Sequence, residues 1–448
     1  MCQLIFSQPF PQEFFNYKIQ KLLFDSGDNW SSISSFGPLR YQQMIKKNNK
    51  NQDSLYVNFR PGVLAQNNLV AVYGYSHFIY QKHFYGYLYS RIINDPSISS
   101  HHSGLPQEIN RLNFNSGETD LSGIGFQNEW VTLQVCHGRE SWAAGNDVQL
   151  CLSELSPTYD YFMIGSDYGK IRVRYIHGFL EKTESKINRY ITARGIEWTN
   201  NKSVVIGLSE VAIYSGPNRF FDISYLNPVS AHLEIEWNER ANQLGEGMGN
   251  AVWQASIDLF IREKLRLSGN YLIDDFTFDD IQKKHGKEHG AAYSYRLAFV
   301  PVKSEKYLIS LSSYLIHVGT PTFRHHNGTN NFVQRGYPLG WKYGSDGSQL
   351  GGALNIYNQS NLLVSFELNK LEIGQESTID RVYEPYEDYL KGKFPSGKVE
   401  EIIEIKTSIE WLLKTNIMFQ VEQQFELYNR DYGVAIGLNI FFPFKTII

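Results

Sequence analysis

The chain has 448 residues, 42 basic and 46 acidic side chains, a formal net charge of −4 and 42% hydrophobic residues. That balance excludes the basic field of a nucleic-acid binder and the polar excess of a disordered chain. No run of about 18 apolar residues is present, which excludes a membrane-spanning helix but not a barrel strand.

The first residues, Met1 to Gln8, read as the end of an export signal, with an ordinary chain terminus as the alternative. The stretch Pro11–Phe24 follows, with Pro at its start and Phe15, Ile19, Leu22 and Leu23 on one face, and predicts a helix. Polar sequence continues to about Asp53 and includes Lys46-Lys47-Asn48-Asn49-Lys50-Asn51.

Beyond Asp53 a period of two dominates, and 29 Tyr, 28 Phe, 8 Trp and 36 Gly suit β-structure. Ile171, Val173, Tyr175 and Phe179 alternate with Lys170, Arg172, Arg174 and Ile176. Ile257, Leu259 and Ile261 alternate with Asp258, Phe260 and Arg262; Leu265, Leu267, Gly269, Tyr271 and Ile273 continue the pattern against Lys264, Arg266 and Ser268. Ile403 to Leu413 and Tyr432 to Phe442 repeat it. The runs 82–93, 169–180, 203–214, 305–318, 361–374 and 402–414 reach the roughly 9–11 residues that a strand needs to cross a bilayer. Aromatic residues gather at run ends, as in His83-Phe84-Tyr85-Gly86-Tyr87, where interfacial girdles belong. A soluble sandwich would have shorter strands, and no fixed repeat supports a solenoid.

The expectation is an all-β, large antiparallel transmembrane β-barrel of about eighteen strands with a short N-terminal helical segment. Residues 9–52 would form a helical and loop segment in the periplasm, 53–442 the barrel with long loops, and 443–448 a C-terminal tail. Its address would be the outer membrane of a Gram-negative bacterium.

Several residue groups invite a functional reading, each beside a plainer one. The carboxylates Asp274, Asp275, Asp279 and Asp280 could take Ca²⁺, but the EF-hand spacing is missing, so a loop-rim acidic cluster is the better reading and no metal is expected. The pairs His101-His102 and His325-His326 point to opposite faces if they lie on strands, which suits loop residues better than metal ligands. Cys2, Cys136 and Cys151 are odd in number, so a disulfide framework is excluded; one Cys136–Cys151 bridge stays open beside the reading of both as ordinary apolar residues.

Arg172, Arg174, Arg262 and Arg266, with Glu404 and Glu410, are candidate lumen charges that either guide a solute or satisfy one another across strands. The longest non-strand stretches, 215–250, 320–349 and 376–400, contain Tyr225, Trp237, Tyr337, Trp341, Tyr343, Tyr383 and Tyr386. Such rings can stack on the apolar faces of sugars; otherwise they fill the barrel mouth or join the interfacial belt. No nucleophile elbow, Walker loop, Rossmann glycines or H-E-x-x-H motif is present, and no cofactor is expected.

Segments spread in order over residues 55–442 resemble the capsule assembly protein Wzi family. They are Arg60-Pro61-Gly62 with Ala65-Gln66-Asn67-Asn68, Arg189 to Trp198 leading into Val205-Ile206-Gly207-Leu208, Tyr225-Leu226-Asn227-Pro228, Tyr271 to Phe276, and Arg335-Gly336-Tyr337-Pro338-Leu339-Gly340 before Gly344-Ser345-Asp346. The resemblance implies an eighteen-stranded outer-membrane barrel that holds capsular or exopolysaccharide at the cell surface in a lectin-like manner, without catalysis. Implied partners are that polysaccharide, outer-membrane lipid or lipopolysaccharide, and polysaccharide export machinery. The single N-terminal helix departs from the family's helical part. A porin-like solute channel with a charged lumen is the alternative function, and a soluble glycan-active enzyme a third.

Overall fold

The computed structural model describes residues 15–28, 30, 33–36, 55–95, 116–243, 249–262, 264–275, 289–386, 394–427 and 431–447. Eighteen strands form one antiparallel meander: β1 Leu55–Gln66, β2 Leu69–Tyr80, β3 Phe84–Ile93, β4 Ser116–Gln127, β5 Val131–Gly138, β6 Tyr159–Asp167, β7 Ile171–Lys182, β8 Ile187–Thr199 and β9 Val204–Pro217 make the first half. The second half is β10 Gly249–Ile261, β11 Leu265–Asp275, β12 Gly290–Lys303, β13 Leu308–Val318, β14 Gly347–Asn358, β15 Leu362–Ile373, β16 Glu400–Lys414, β17 Ile417–Glu426 and β18 Asp431–Phe441. Each strand pairs with its chain neighbour, and β18 closes on β1 from Gly62↔Phe441 to Gln66↔Gly437. Closure leaves no sheet edge exposed, as a strand wall in lipid requires.

Residues 443–448, expected as a tail, do not all trail free: Phe444–Ile447 form β19, which pairs with β1 from Tyr56↔Ile447 to Phe59↔Phe444. Pro443 interrupts the ladder between β18 and β19 because it has no N–H to donate.

The alternation predicted from sequence sorts the wall into two faces. Phe59, Val72, Leu88, Ile124, Val135, Ile164, Ile196, Leu208, Leu297, Phe366, Leu368 and Ile436 are exposed on the outside, where the solvent is lipid. Residues that alternate with them along the strands point inward, as Arg172, Glu197, Asp258, Arg266, Arg296 and Glu410 do, all of them buried.

The two rims differ. One carries only short connections, at 81–83, 128–130, 168–170, 200–203, 262–264, 304–307, 359–361 and 415–416. Exposed Tyr80, Phe84, Trp130, Tyr168, Trp198, Tyr307 and Trp411 lie in or beside these turns as an aromatic girdle. The opposite rim carries the long connections, including 139–158, 218–248, 319–346 and 374–399. Outer-membrane barrels put short turns in the periplasm and long loops outside, which assigns the long-loop rim to the cell exterior.

One sequence expectation is corrected at the short-turn rim. Arg262 does not line the lumen: it sits in the β10–β11 turn, exposed, with φ of 51°. A tight turn between long strands needs a left-handed residue, and Arg262 occupies that position.

Candidate functional site

The lumen is filled rather than open. Helix α1, Phe15–Asp25, and the described residues after it, 26–28, 30 and 33–36, lie inside the cylinder, not in the periplasm as the sequence suggested. Amphipathicity alone fits either place; what the pattern could not show is that the helix is buried on nearly every side, through Phe15, Tyr17, Ile19, Leu22 and Phe24. Gly27, with φ of 77°, ends it in the left-handed conformation common after helix C-termini.

Ion pairs tie this plug to the wall. Asp25, fully buried, accepts two bonds from Arg296 at 2.8 and 2.7 Å and one from Arg266 at 3.2 Å; Arg266 also pairs with Asp258 at 2.6 Å. Arg172 donates to Glu197 at 2.6 Å and to the Ile33 carbonyl at 2.7 Å. Glu197 in turn accepts from the Ser35 N–H at 2.7 Å and from the hydroxyls of Ser34 and Ser35. Arg174 donates to the Phe36 carbonyl and lies 3.5 Å from Glu140, Lys18 pairs with Glu410, and Lys21 with Asp147 and Glu154. Gly195 permits the close approach, since a Cβ there would meet the Phe36 ring at 2.4 Å.

The 139–158 loop folds inward and completes the plug. Trp142, Val148, Leu150, Cys151 and Leu152 are buried, with Trp142 packed on Phe36 at 4.9 Å between ring centres. Ala144 exchanges hydrogen bonds with Asn270 of β11 at 2.8 and 2.9 Å, and Ser294 of β12 donates to the Val148 carbonyl at 2.8 Å. Cys136 and Cys151 are free and buried, so the disulfide left open by the sequence does not form. Burial pushes the Cys151 thiol up to about 12.

Loop 319–346 and the described residues 374–386 and 394–399 cap the exterior mouth. Asp346, fully buried, accepts from the Thr320 hydroxyl at 2.7 Å, the Ser396 N–H at 3.0 Å and the Glu376 N–H at 3.1 Å. Arg189 on β8, also fully buried, donates to the carbonyls of Thr329, Asn331 and Val333 and to Glu181. Cap and plug meet where Trp341 N–H donates to the Leu150 carbonyl at 3.0 Å and Ser153 N–H to Leu339 at 2.8 Å.

The candidate aromatics do not converge on one surface. Trp341 points into the lumen, bonded to Gln349 at 2.9 Å, with Tyr343 edge-on at 5.3 Å. Tyr386 is buried under Arg324, and Tyr383 bonds Glu181 at 2.6 Å with Arg189 over its ring. Tyr337 stands exposed on a hairpin, beside exposed Arg335, whose N–H donates to Glu181 at 3.2 Å. Tyr225 and Trp237 belong to the 218–243 segment, which lies on the outer wall; Tyr225 is buried against that wall and Trp237 is exposed.

Of the lumen charges, Arg172, Arg174, Arg266, Glu404 and Glu410 face inward, but the arginines do not meet the two glutamates. Glu404 instead accepts from Gln424 at 2.7 Å and Asn369 at 3.3 Å. Asp274 accepts from the Phe323 N–H, which accounts for one of its oxygens, while Asp279 and Asp280 and the side chain of Asp275 lie outside the described residues, as do His101 and His102. No group of three or more metal-ligating side chains occurs among the described residues.

His137 on β5 has two side-chain partners. Its Nδ1 is 2.8 Å from Asp160 and its Nε2 2.9 Å from the Thr158 hydroxyl. The order resembles a nucleophile–base–acid chain, yet Thr158 has no exposed surface through which a substrate could reach it.

No protein-family model and no curated protein sequence matches the chain. Among solved structures it is similar to Wzi, an outer membrane protein involved in group 1 capsule assembly in Escherichia coli and described as a carbohydrate binding β-barrel. The TM-score is 0.64 and the identity 12%, over 94% of this chain and 98% of Wzi. It is also similar, at a TM-score of 0.44 and 11% identity over 88% of this chain and 95% of the other, to OprD of Pseudomonas aeruginosa. This chain is therefore an eighteen-stranded outer-membrane β-barrel with the fold that Wzi adopts.

Proposed function

We propose that the protein is a non-catalytic surface scaffold that associates capsular or exopolysaccharide with the outer membrane through its exterior cap. The observation that carries this reading is the double closure of the barrel. Plug and wall satisfy each other's charges at Asp25, Arg266, Arg296, Arg172 and Glu197, and the cap is hydrogen-bonded to the plug beneath it. A solute channel needs a continuous wet path with charges available to the solute, and the arginines that could steer an anion are already engaged.

On the cap, Tyr337 and Arg335 combine an exposed ring with a cation beside Glu181 and Tyr383. A ring stacks on a sugar face while a guanidinium and carboxylate meet hydroxyls or uronate groups. Many such weak contacts along a repeating polymer add up through multivalency. The likeness to Wzi supports the same reading at the level of fold. The partner polysaccharide is accordingly an extended surface polymer, and contact with export machinery remains part of the proposal.

The test is deletion of the gene followed by complementation with Tyr337→Ala/Arg335→Ala. Deletion should release polysaccharide into the medium with total synthesis unchanged, and the double variant should restore barrel levels without restoring retention. Unchanged cell-bound polysaccharide in the deletion would refute the scaffold. Stable open currents from the purified native barrel in planar bilayers would favour the channel instead.

A further inference from the structure

On three adjacent strands, buried charged and polar residues take outward positions of the wall. On β7, β8 and β9 the outward positions near the girdle are Ile171, Val173, Ile196, Trp198, Ile206 and Leu208, all exposed. Farther up the same strands the outward positions become Tyr175, His177, Thr192, Arg194, Glu210 and Ala212, in register with one another. All six are buried, although nothing inside the barrel can cover an outward side chain.

What covers them is the β9–β10 connection, folded down over the outside of the wall. Phe221 stacks on His177 at 3.8 Å and Tyr225 on Tyr214 at 4.5 Å, nearly parallel. The Tyr175 hydroxyl donates to the Tyr225 carbonyl at 2.6 Å, and Arg194, 3.2 Å from Glu210, reaches the Asn227 carbonyl at 3.3 Å. Glu210 accepts from the N–H of His232, at the start of helix α2, His232–Trp237. Gly249 on β10 leaves room for that histidine, since a Cβ there would meet its ring at 2.6 Å. Tyr190, Ala212, Tyr214, Tyr225, Ile235 and Ala241 form a second apolar core outside the cylinder.

Much of the opposite surface of this strap is apolar and uncovered, while the exposed Arg240–Glu234 pair, Asn238 and Glu239 group on and after the helix that begins at His232. Phe220 is 81% exposed, Ile223 77%, Val229 86% and Trp237 76%, with Leu226 and Leu233 also exposed. Over 219–233 the charged side chains Arg219 and Asp222 are buried while the large apolar ones face away, an exposed apolar patch of the kind that marks a contact surface. The strap hangs from the exterior rim, and its outer surface continues the apolar band formed by Ile196 and Leu208 below it and by Trp253, in register with Glu210, beside it.

We infer that the 218–243 strap is a lipid-embedded false wall whose outer residues Phe220, Ile223, Val229 and Trp237 contact acyl chains of the outer leaflet and keep the Arg194–Glu210 pair out of hydrocarbon. Continuity with the barrel's own lipid belt selects acyl chains as the occupant. The inference rests on the membrane address alone and stands whether or not the cap binds polysaccharide.

The native full chain, reconstituted in bilayers of brominated phospholipid, tests it. Tryptophan quenching is compared between native protein and Trp237→Phe, and then Val229→Trp placed in the Trp237→Phe background. Trp237→Phe should remove a component quenched by bromines and protected from aqueous acrylamide, and Val229→Trp should restore one. Quenching of both residues by acrylamide and not by bromolipid would overturn the inference. Protection from both quenchers, with a particle mass of two copies, would overturn it in favour of a self-association surface.

Discussion

The plug and the strap cover the two faces of one sheet, and they do so with opposite chemistry. Inside, the wall offers arginines and carboxylates, and the plug answers with Asp25, Lys18 and backbone carbonyls. Outside, the wall offers tyrosines, a histidine and one ion pair, and the strap answers with Phe221, Tyr225 and stacked rings. The reason is what lies beyond each cover. Behind the plug the groups remain among polar neighbours, so ion pairs can link into a network there. Beyond the strap comes an apolar solvent, so polar groups must end at the inner surface of the cover.

The sharpest way to break the plug is Asp25→Ala, which leaves Arg266 and Arg296 facing each other without their shared anion. Removing one partner of a buried ion pair costs about 3–5 kcal/mol, and this carboxylate serves two arginines. The variant should unfold at markedly lower temperature in a heat-modifiability gel and should show bilayer currents absent from the native barrel. Glu210→Leu applies the same logic to the strap, where one arginine is left alone, and the expected loss is at the lower end, about 3 kcal/mol. Combined Arg194→Leu/Glu210→Leu should recover most of that loss, and denaturant titration of all three forms in lipid would measure the coupling.

Phe221→Ala removes the ring that stacks on His177, at a cost of about 1–2 kcal/mol because the ring is partly exposed. It should loosen the strap while leaving plug and currents untouched, as hydrogen exchange over 218–243 would report. Tyr225→Phe is gentler still. It loses the 2.6 Å bond between the Tyr225 hydroxyl and His232 Nδ1, worth about 1 kcal/mol. The smallest effect is chemical: with its thiol pushed up to about 12 by burial, Cys151 should resist alkylation at about pH 8, where an ordinary thiol reacts. Its reactivity should rise in Asp25→Ala and not in Tyr225→Phe, read by mass spectrometry of the modified peptide.

Much of this molecule is legible in its sequence, for a local reason. Alternation such as Ile403 to Leu413 depends on the pleat alone, so strand faces and approximate lengths can be read without knowing the partners. The plug is another matter. Asp25 sits at the end of a helix like many others, and only its meeting with Arg266 and Arg296, far along the chain, gives it a role. The aromatic residues were identified by type, yet rings that stack on sugars, fill a mouth or cover a wall have the same composition; Trp341, Tyr225 and Tyr337 end in three different places. The strap did leave a mark. Tyr175, His177, Thr192, Arg194 and Glu210 fall on the apolar side of three successive runs, and a polar block at matching positions in adjacent strands signals a wall with something lying over it.

The hem where the cylinder joins itself is split in two. Only five residue pairs link β18 to β1, and four more link β19, on either side of Pro443, whereas β8 and β9 share thirteen. It also unites the two ends of the barrel's chain, the most distant partners to bring together and so the costliest in chain entropy. Pairing that proceeds along the chain therefore leaves this hem to close last.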